Sequence, residues 1–375
     1  MIYFDNAATT LQKPSSVGKA VLHTMISEAN SGRGDYAASG KAAETVFASR
    51  EAAALLFSVP EPEQVIMTFN ATHGLNIAIK SLVHPGSSVV ISGYEHNAVT
   101  RTLAALEDVR LRVVSAPLFQ QDMFLERMRL ELRERPDVVI CTHVSNVFGF
   151  VLPVNEVAAL CRDQGIPLIV DVSQSAGVLP VSMETLQAAF IAMPGHKSLY
   201  GPQGTGLLLC GRDQHGTPLL QGGTGSLSLR QEMPDFLPDR LEAGTQNTPG
   251  IAGLYQGIRF VQEKGIDIIR QHEQELVQAA GEGLQKMDGV RVFQSDDRHA
   301  QTGVLSFVVD GRDCAEVGAY LSQNQVSVRT GLQCAPLAHR TAGTERTGTV
   351  RISFSAFNTL REVEAFLKIM RRMPE

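Results

Sequence analysis

An α/β domain on a mostly parallel sheet, followed by a smaller α+β unit, is the fold this sequence predicts, and three observations carry the prediction. Seven short apolar runs alternate with longer amphipathic segments through the first two thirds of the chain, the pattern of strands and helices in α/β proteins. Several runs, such as Val138-Val139-Ile140 and Leu168-Ile169-Val170, are apolar throughout, as strands covered by helices on both faces are. From Gly289 onward strand-like stretches mix with helices in no such alternation.

In chain order, the runs predict strands over residues 64–68, 88–92, 111–115, 137–142, 167–170, 189–193 and 206–210. Residues 211–247 are rich in Gly, Pro, Ser and Gln and carry neither period, which predicts a long functional loop. A helical pattern resumes after Pro249, and strands follow at 290–293, 303–309, 326–329 and 349–354, with helices at 314–323 and 360–371. The change of pattern puts the domain boundary near residue 250. The expected division is a large domain over residues 15–250 and a small one made of residues 1–14 with 251–375.

The chain has 375 residues, 43% of them apolar and 19% charged, which suits a two-domain globular protein. A formal charge of -6 without a long basic run speaks against nucleic acid or an anionic membrane surface as partner. The five cysteines are far apart with no CxxC pair, so neither a disulfide framework nor structural zinc is expected. The opening MIYFDNAATT lacks a signal-peptide pattern, and no apolar stretch is long enough to span a bilayer. A soluble, cytoplasmic protein in a reducing compartment is the expectation.

The stretch MPGHKSLYGPQGTG, residues 193–206, sets His196 and Lys197 just past a buried strand. A lysine desolvated near other cations has a depressed pKa and can form a Schiff base, although a solvated lysine in a turn is the commoner case. In LIVDVSQSAG, residues 168–177, Asp171 stands at the carboxyl end of an apolar strand, the edge where open α/β sheets bind ligands. Its carboxylate could keep a pyridine nitrogen protonated, with Gln174 beside it, or it could simply cap a helix. In MTFNATHGL, residues 67–75, a strand runs into a helix start, where free N–H groups and the Thr72 hydroxyl could hold a phosphate. A plain N-cap threonine is the alternative. His96 and Asn146 follow two further strands and converge with these residues on one pocket. The glycines of GPQGTG fit neither a dinucleotide fingerprint nor a P-loop.

Taken in order, YFDNAATT, EHNAV, SNVFG, DVSQSAG, GHKSLYGPQGTG, EAGTQN, RTGLQCAP and VRISFSAFNT resemble the cysteine desulfurases and selenocysteine lyases of the class V aminotransferase group, over nearly the whole chain. The resemblance implies the fold type I of pyridoxal 5'-phosphate (PLP) dependent transferases, with PLP as cofactor and a seven-stranded sheet in the large domain. It makes Lys197 the Schiff-base lysine, Asp171 the partner of the ring nitrogen and Gln174 a ligand of the ring hydroxyl. His96 would stack on the ring as a catalytic residue, with Asn146 near the same ring edge and near the substrate. Thr72 and His196 would bind the phosphate, together with Thr245 from the other subunit of a homodimer.

By the same resemblance Arg351 would bind the substrate carboxylate, Arg329 would lie nearby, and Cys334 would be the catalytic cysteine. The implied reaction converts L-cysteine to L-alanine, leaving sulfur on Cys334 as a persulfide for an acceptor protein. Alternatives are a selenocysteine lyase, or an aminotransferase, epimerase or other lyase of class V in which Cys334 is not essential. Gly331 and Gly343 bound the cysteine loop and predict backbone freedom there. Two positions depart from the family. Pro194 replaces a Ser or Thr and can give a phosphate neither hydroxyl nor N–H. Asp35 and Tyr36 stand where relatives often carry a histidine, in NSGRGDYAAS, residues 30–39.

Overall fold

The computed structural model describes residues 1–32 and 34–374, so Arg33 of NSGRGDYAAS lies outside the described residues. In chain order the strands are β1 (Ile2–Tyr3), β2 (Val65–Thr68), β3 (Ser88–Ser92), β4 (Arg110–Val114), β5 (Val138–Thr142), β6 (Leu168–Asp171), β7 (Phe190–Pro194), β8 (Gly206–Cys210), β9 (Val290–Phe293), β10 (Val304–Val309), β11 (Val326–Ser327), β12 (Arg329–Gly331) and β13 (Thr349–Ser353). Seven of them form one sheet in the order β2-β8-β7-β6-β5-β3-β4. All run the same way except β8, which is antiparallel to both β2 and β7. The cause is the β7–β8 connection, which contains no helix, whereas a parallel pair needs a longer crossover.

β2, β5, β6, β7 and β8 are buried along their whole length, as their apolar runs anticipate. β4 closes one edge and is largely exposed, with Arg110 and Arg112 among its residues, charges that discourage pairing with another chain. Because β5, β6 and β7 are parallel, their carboxyl ends at Thr142, Asp171 and Pro194 reach one side of the sheet together. Pro194 is tolerated because β6 has already ended there, leaving only the β8 ladder beside it. Residues 211–247 contain no helix or strand among the described residues.

The C-terminal sheet is antiparallel in the order β12-β13-β10-β9. The strand expected over 326–329 divides, since β11 pairs with β1 while β12 turns to β13. The helices Ile266–Gln285 and Leu360–Met370 cover this sheet, and Phe4 packs with Leu276, Phe307 and Phe366 in its core. We propose that residues 1–14 belong with 251–375 on the strength of that packing. Ile251, Leu254 and Ile258 of the helix Thr248–Lys264 pack into the core of the large sheet, so this helix would be shared between the two units. Among the described residues, no helix is long and apolar enough to cross a membrane, and no cluster of metal-ligating side chains occurs.

Glu273, on the helix Ile266–Gln285, is buried, and its Oε1 has no partner among the described residues. Burial raises its pKa to about 8, so near neutrality the folded protein holds a proton that the unfolded chain releases. Stability should therefore fall as pH rises from about 5 to 8. Glu273→Gln removes this term. Its stability advantage over the parent in urea unfolding should grow by up to about 1.4 kcal/mol per pH unit across that window, and an advantage that does not grow with pH would refute the assignment.

Candidate active site

The carboxyl edge of the large sheet opens on a cavity of about 260 Å³. At one end β2 runs into the helix Ala71–Leu82, whose N-cap is Asn70, its side chain accepting the N–H of His73 at 2.9 Å. Thr72 is therefore not the cap. It lies in the first turn, where the backbone N–H groups of Ala71 and Thr72 have no helical acceptor, and it lines the cavity. Gly206 crosses so close to this turn that a Cβ would stand 2.8 Å from the Asn70 carbonyl carbon, which explains a glycine there. His196 lines the same end, its Nδ1 buried without a partner among the described residues. Burial first, then the charge of Lys197, lowers the His196 pKa to about 4, so the ring is neutral.

Asp171 ends β6, buried, and its Oδ1 accepts the Ser173 N–H at 2.9 Å and the Ser173 hydroxyl. The local capping role is thus real, yet it uses one oxygen only, and Oδ2 makes no hydrogen bond among the described residues. Gly177, at φ +87°, closes this turn against Lys197's neighbour: a Cβ would lie 2.2 Å from the Ser198 carbonyl oxygen. Gln174 donates through Nε2 to the Ala7 carbonyl at 3.0 Å, which draws the N-terminal segment over the cavity. Further along that segment Thr10 donates to the carbonyls of His196 and Lys197.

His96 caps the helix Asn97–Ala104 by accepting the Ala98 N–H on Nδ1 at 3.0 Å, which leaves the ring proton on Nε2. Burial and the nearby Lys197 lower its pKa to about 4. Lys197 is partly accessible through the cavity. Desolvation lowers its pKa to about 8, with Asp171 opposing and Arg351 assisting. Near neutral pH a measurable fraction of this amine is therefore unprotonated.

The far end belongs to the C-terminal unit. Arg351 on β13 is buried and paired with Asp5 at 2.7 Å, and it donates to the Asn146 carbonyl at 2.8 Å. Arg329 faces it in register across β12 and β13. Asn146 donates from Nδ2 to the Gln333 carbonyl at 2.7 Å, while its Oδ1 is buried without a partner among the described residues. Cys334 is exposed and lines the cavity.

The expected freedom of the cysteine loop needs correction. Gln333 and Cys334 both hold left-handed backbone, at φ 40° and 57°, and the Cys334 carbonyl accepts the Asn97 N–H at 2.8 Å. Buried Gln333 donates to the Thr349 carbonyl at 2.9 Å and accepts from His339 at 2.8 Å. The loop is short and tied on three sides, because polar partners distant in sequence hold what the flanking glycines leave loose. Thr245 is exposed and outside the cavity, on a separate depression with Arg50, Gly223 and Glu242.

The cavity thus gathers Thr72, His96, Asn146, Asp171, Gln174, His196, Lys197, Arg329, Cys334 and Arg351. Sequence reading missed Asp5 and Gln333, although both lie within the quoted stretches YFDNAATT and RTGLQCAP. The residues fit PLP. A helix start with free donors suits a phosphate, Asp171 offers an unengaged oxygen, Lys197 a partly neutral amine, and the buried atoms His196 Nδ1 and Asn146 Oδ1 lack the partners that buried polar groups require.

The family model described as aminotransferase class-V matches residues 2–366. A Pyrococcus abyssi protein named "Probable cysteine desulfurase" is 31% identical, over all of this chain and 94% of its own length. One of the same name from Mycolicibacterium paratuberculosis is 32% identical, and there the chain spans 56% of the relative. Among solved structures, the apo cysteine desulfurase of Thermococcus onnurineus NA1 superposes with a TM-score of 0.91 at 31% identity, covering 99% of this chain and 94% of that one.

Proposed function

The chain belongs to the cysteine desulfurase family within the class-V aminotransferases, and on that premise we propose that it converts L-cysteine to L-alanine and keeps the sulfur on Cys334 as a persulfide. The observation that carries the proposal is that a partly neutral lysine, an ionisable carboxylate, a buried arginine and an exposed cysteine line one cavity. PLP, when bound, supplies an aldehyde that captures an amine and a ring that takes up an electron pair from the α-carbon. Thr72 and His196 would hold its phosphate, Asp171 and Gln174 the ring atoms, and Lys197 would anchor it covalently.

Each residue then has a distinct task. Asp171 would supply the negative charge that favours a protonated ring nitrogen. Lys197 Nζ takes the substrate's α-proton when unprotonated, and returns a proton afterwards. Arg351 fixes the substrate carboxylate. The Cys334 thiolate forms a bond to the substrate sulfur while the C–S bond breaks. The electron pair of that bond stays with the carbon skeleton, which is protonated and leaves as alanine. Because Cys334 is exposed, an acceptor protein would collect the sulfur there.

Thr245, remote from its own chain's cavity, would complete the phosphate site of a second copy in a homodimer. Exposed Leu22, Met25 and Ile26 on one helix offer apolar surface for such a pairing. A reducing, cytoplasmic setting suits the free thiols.

Purified protein incubated with PLP, L-cysteine and a thiol reductant should yield alanine and sulfide in equal amounts, and a failure to form alanine would withdraw the proposal. Arg351→Lys should raise KM for L-cysteine about tenfold or more, since Lys cannot reproduce the fork geometry, while PLP content stays near that of the parent. An unchanged KM would remove Arg351 from the substrate site.

A further inference from the structure

Arg351 is already engaged by a carboxylate of its own chain. Asp5 accepts from Nη2 at 2.7 Å, Nη1 donates to the Asn146 carbonyl, and Nε is buried without a partner among the described residues. The side chain is almost wholly buried yet lines the cavity, so the unused donor belongs to a guanidinium whose other arms are fixed. We infer that Asp5 is a positioning residue of the carboxylate subsite, locking the Arg351 fork so that a substrate of the amino-acid class, with one carboxylate, is received on the N–H groups that Asp5 and the Asn146 carbonyl leave free. The inference rests on the reading of Arg351 as the carboxylate ligand.

The surroundings argue for a built position rather than a chance contact. Asp5 is held by a parallel bridge to Ser353, two residues beyond Arg351 on β13. On either side, Ser353 N–H donates to the Phe4 carbonyl at 2.7 Å and Ala7 N–H to the Ser353 hydroxyl at 2.8 Å. Asn6 adds bonds to the Ser353 carbonyl and to Asn358. The N-terminal strand therefore cannot slide without moving Asp5 off Arg351.

The charges agree. Arg351 and Arg329 face each other across the ladder, and Asp5 is paired with Arg351, leaving the positive charge of Arg329 over. That surplus matches a single incoming carboxylate. Burial pulls the Arg351 pKa below its ordinary value and Asp5 pulls it back.

The test uses PLP-loaded protein and two probes, L-alanine and L-alaninamide, titrated calorimetrically, beside KM and kcat for L-cysteine. Asp5→Ala should weaken L-alanine binding and raise KM about tenfold, the loss expected of one charge-assisted hydrogen bond, with kcat changed less than about threefold and alaninamide binding unaltered. Acetate at tens of millimolar should restore part of the lost affinity in the variant, filling the place of the missing carboxylate, and should compete with L-alanine in the parent. Asp5→Asn keeps an acceptor for Nη2 without the charge, and should weaken L-alanine but not alaninamide binding without rescue by acetate, which carries the test should Asp5→Ala not fold. If Arg351→Lys leaves L-alanine binding unchanged, the reading of Arg351 fails. If Arg351→Lys weakens it while the Asp5 variants do not, or if their loss is equal for alaninamide, or if that of Asp5→Ala is insensitive to acetate, the role given to Asp5 is overturned.

Discussion

Lys197→Ala is expected to lose covalent retention of PLP and to reduce L-cysteine turnover by roughly 10³-fold or more, because in the proposed reaction one side chain would serve both as anchor and as proton carrier. Lys197 is suited to both tasks by its position. It follows the buried strand β7, its backbone is pinned by Thr10, and desolvation holds its pKa near 8. The fold should survive, since the side chain reaches into a cavity rather than into the core. The unprotonated amine is the form that would capture PLP, so the rate of reconstitution of the PLP-free protein with PLP should climb as pH rises through about 8. Borohydride reduction followed by peptide mapping measures the first effect and a pH–rate profile of reconstitution the second. A label on another lysine, or substantial turnover in the variant, would transfer the role elsewhere.

Cys334→Ala is expected to abolish protein-bound persulfide and to lower sulfide and alanine production from L-cysteine by on the order of 10²-fold or more, since no other nucleophile would replace the thiolate. The other four cysteines cannot take over. Cys141, Cys161 and Cys210 are buried in the core around the large sheet, with pKa values raised by burial, and Cys314 begins the helix Cys314–Gln323 outside the cavity. Stability should change by less than about 0.5 kcal/mol, as is usual for an exposed side chain, and PLP content should match the parent. Activity on selenocysteine could persist, because release of selenium need not use this thiol. Persulfide labelling and alanine assay check the outcome. Production of alanine and sulfide at the parent rate would make Cys334 a bystander and end the desulfurase reading.

The large sheet was legible in the sequence because its strands are apolar on both faces, so period and composition agree over each short run. The boundaries of β3, β8 and β9 coincide with those predicted and those of β2, β4, β5, β6, β7, β10 and β13 differ by a residue, whereas β1 was not anticipated. The strand at 326–329 was read as one because nothing in its composition marks the change of partner at Val328, which only the docking of β1 imposes. Thr72 was weighed as a cap, whereas Asn70 holds that place; both residue types cap helices well, and the choice depended on where β2 released the chain.

What the sequence by itself determined is whatever lies close along the chain: an apolar run, the polar residue that ends it, and the helix that follows. Asp171 after β6, Lys197 after β7 and Thr72 at a helix start belong to this class, since a parallel sheet delivers successive strand ends to one edge. What only the tertiary structure decided is which distant polar groups meet. Asp5 reaches Arg351 across 346 positions and Asn146 reaches Gln333 across 187, and the second contact turned an apparently free loop into a held one. The physical reason is that period and propensity specify the face a residue presents, while its hydrogen-bond partner is whichever group the packing of separate elements brings within about 3 Å.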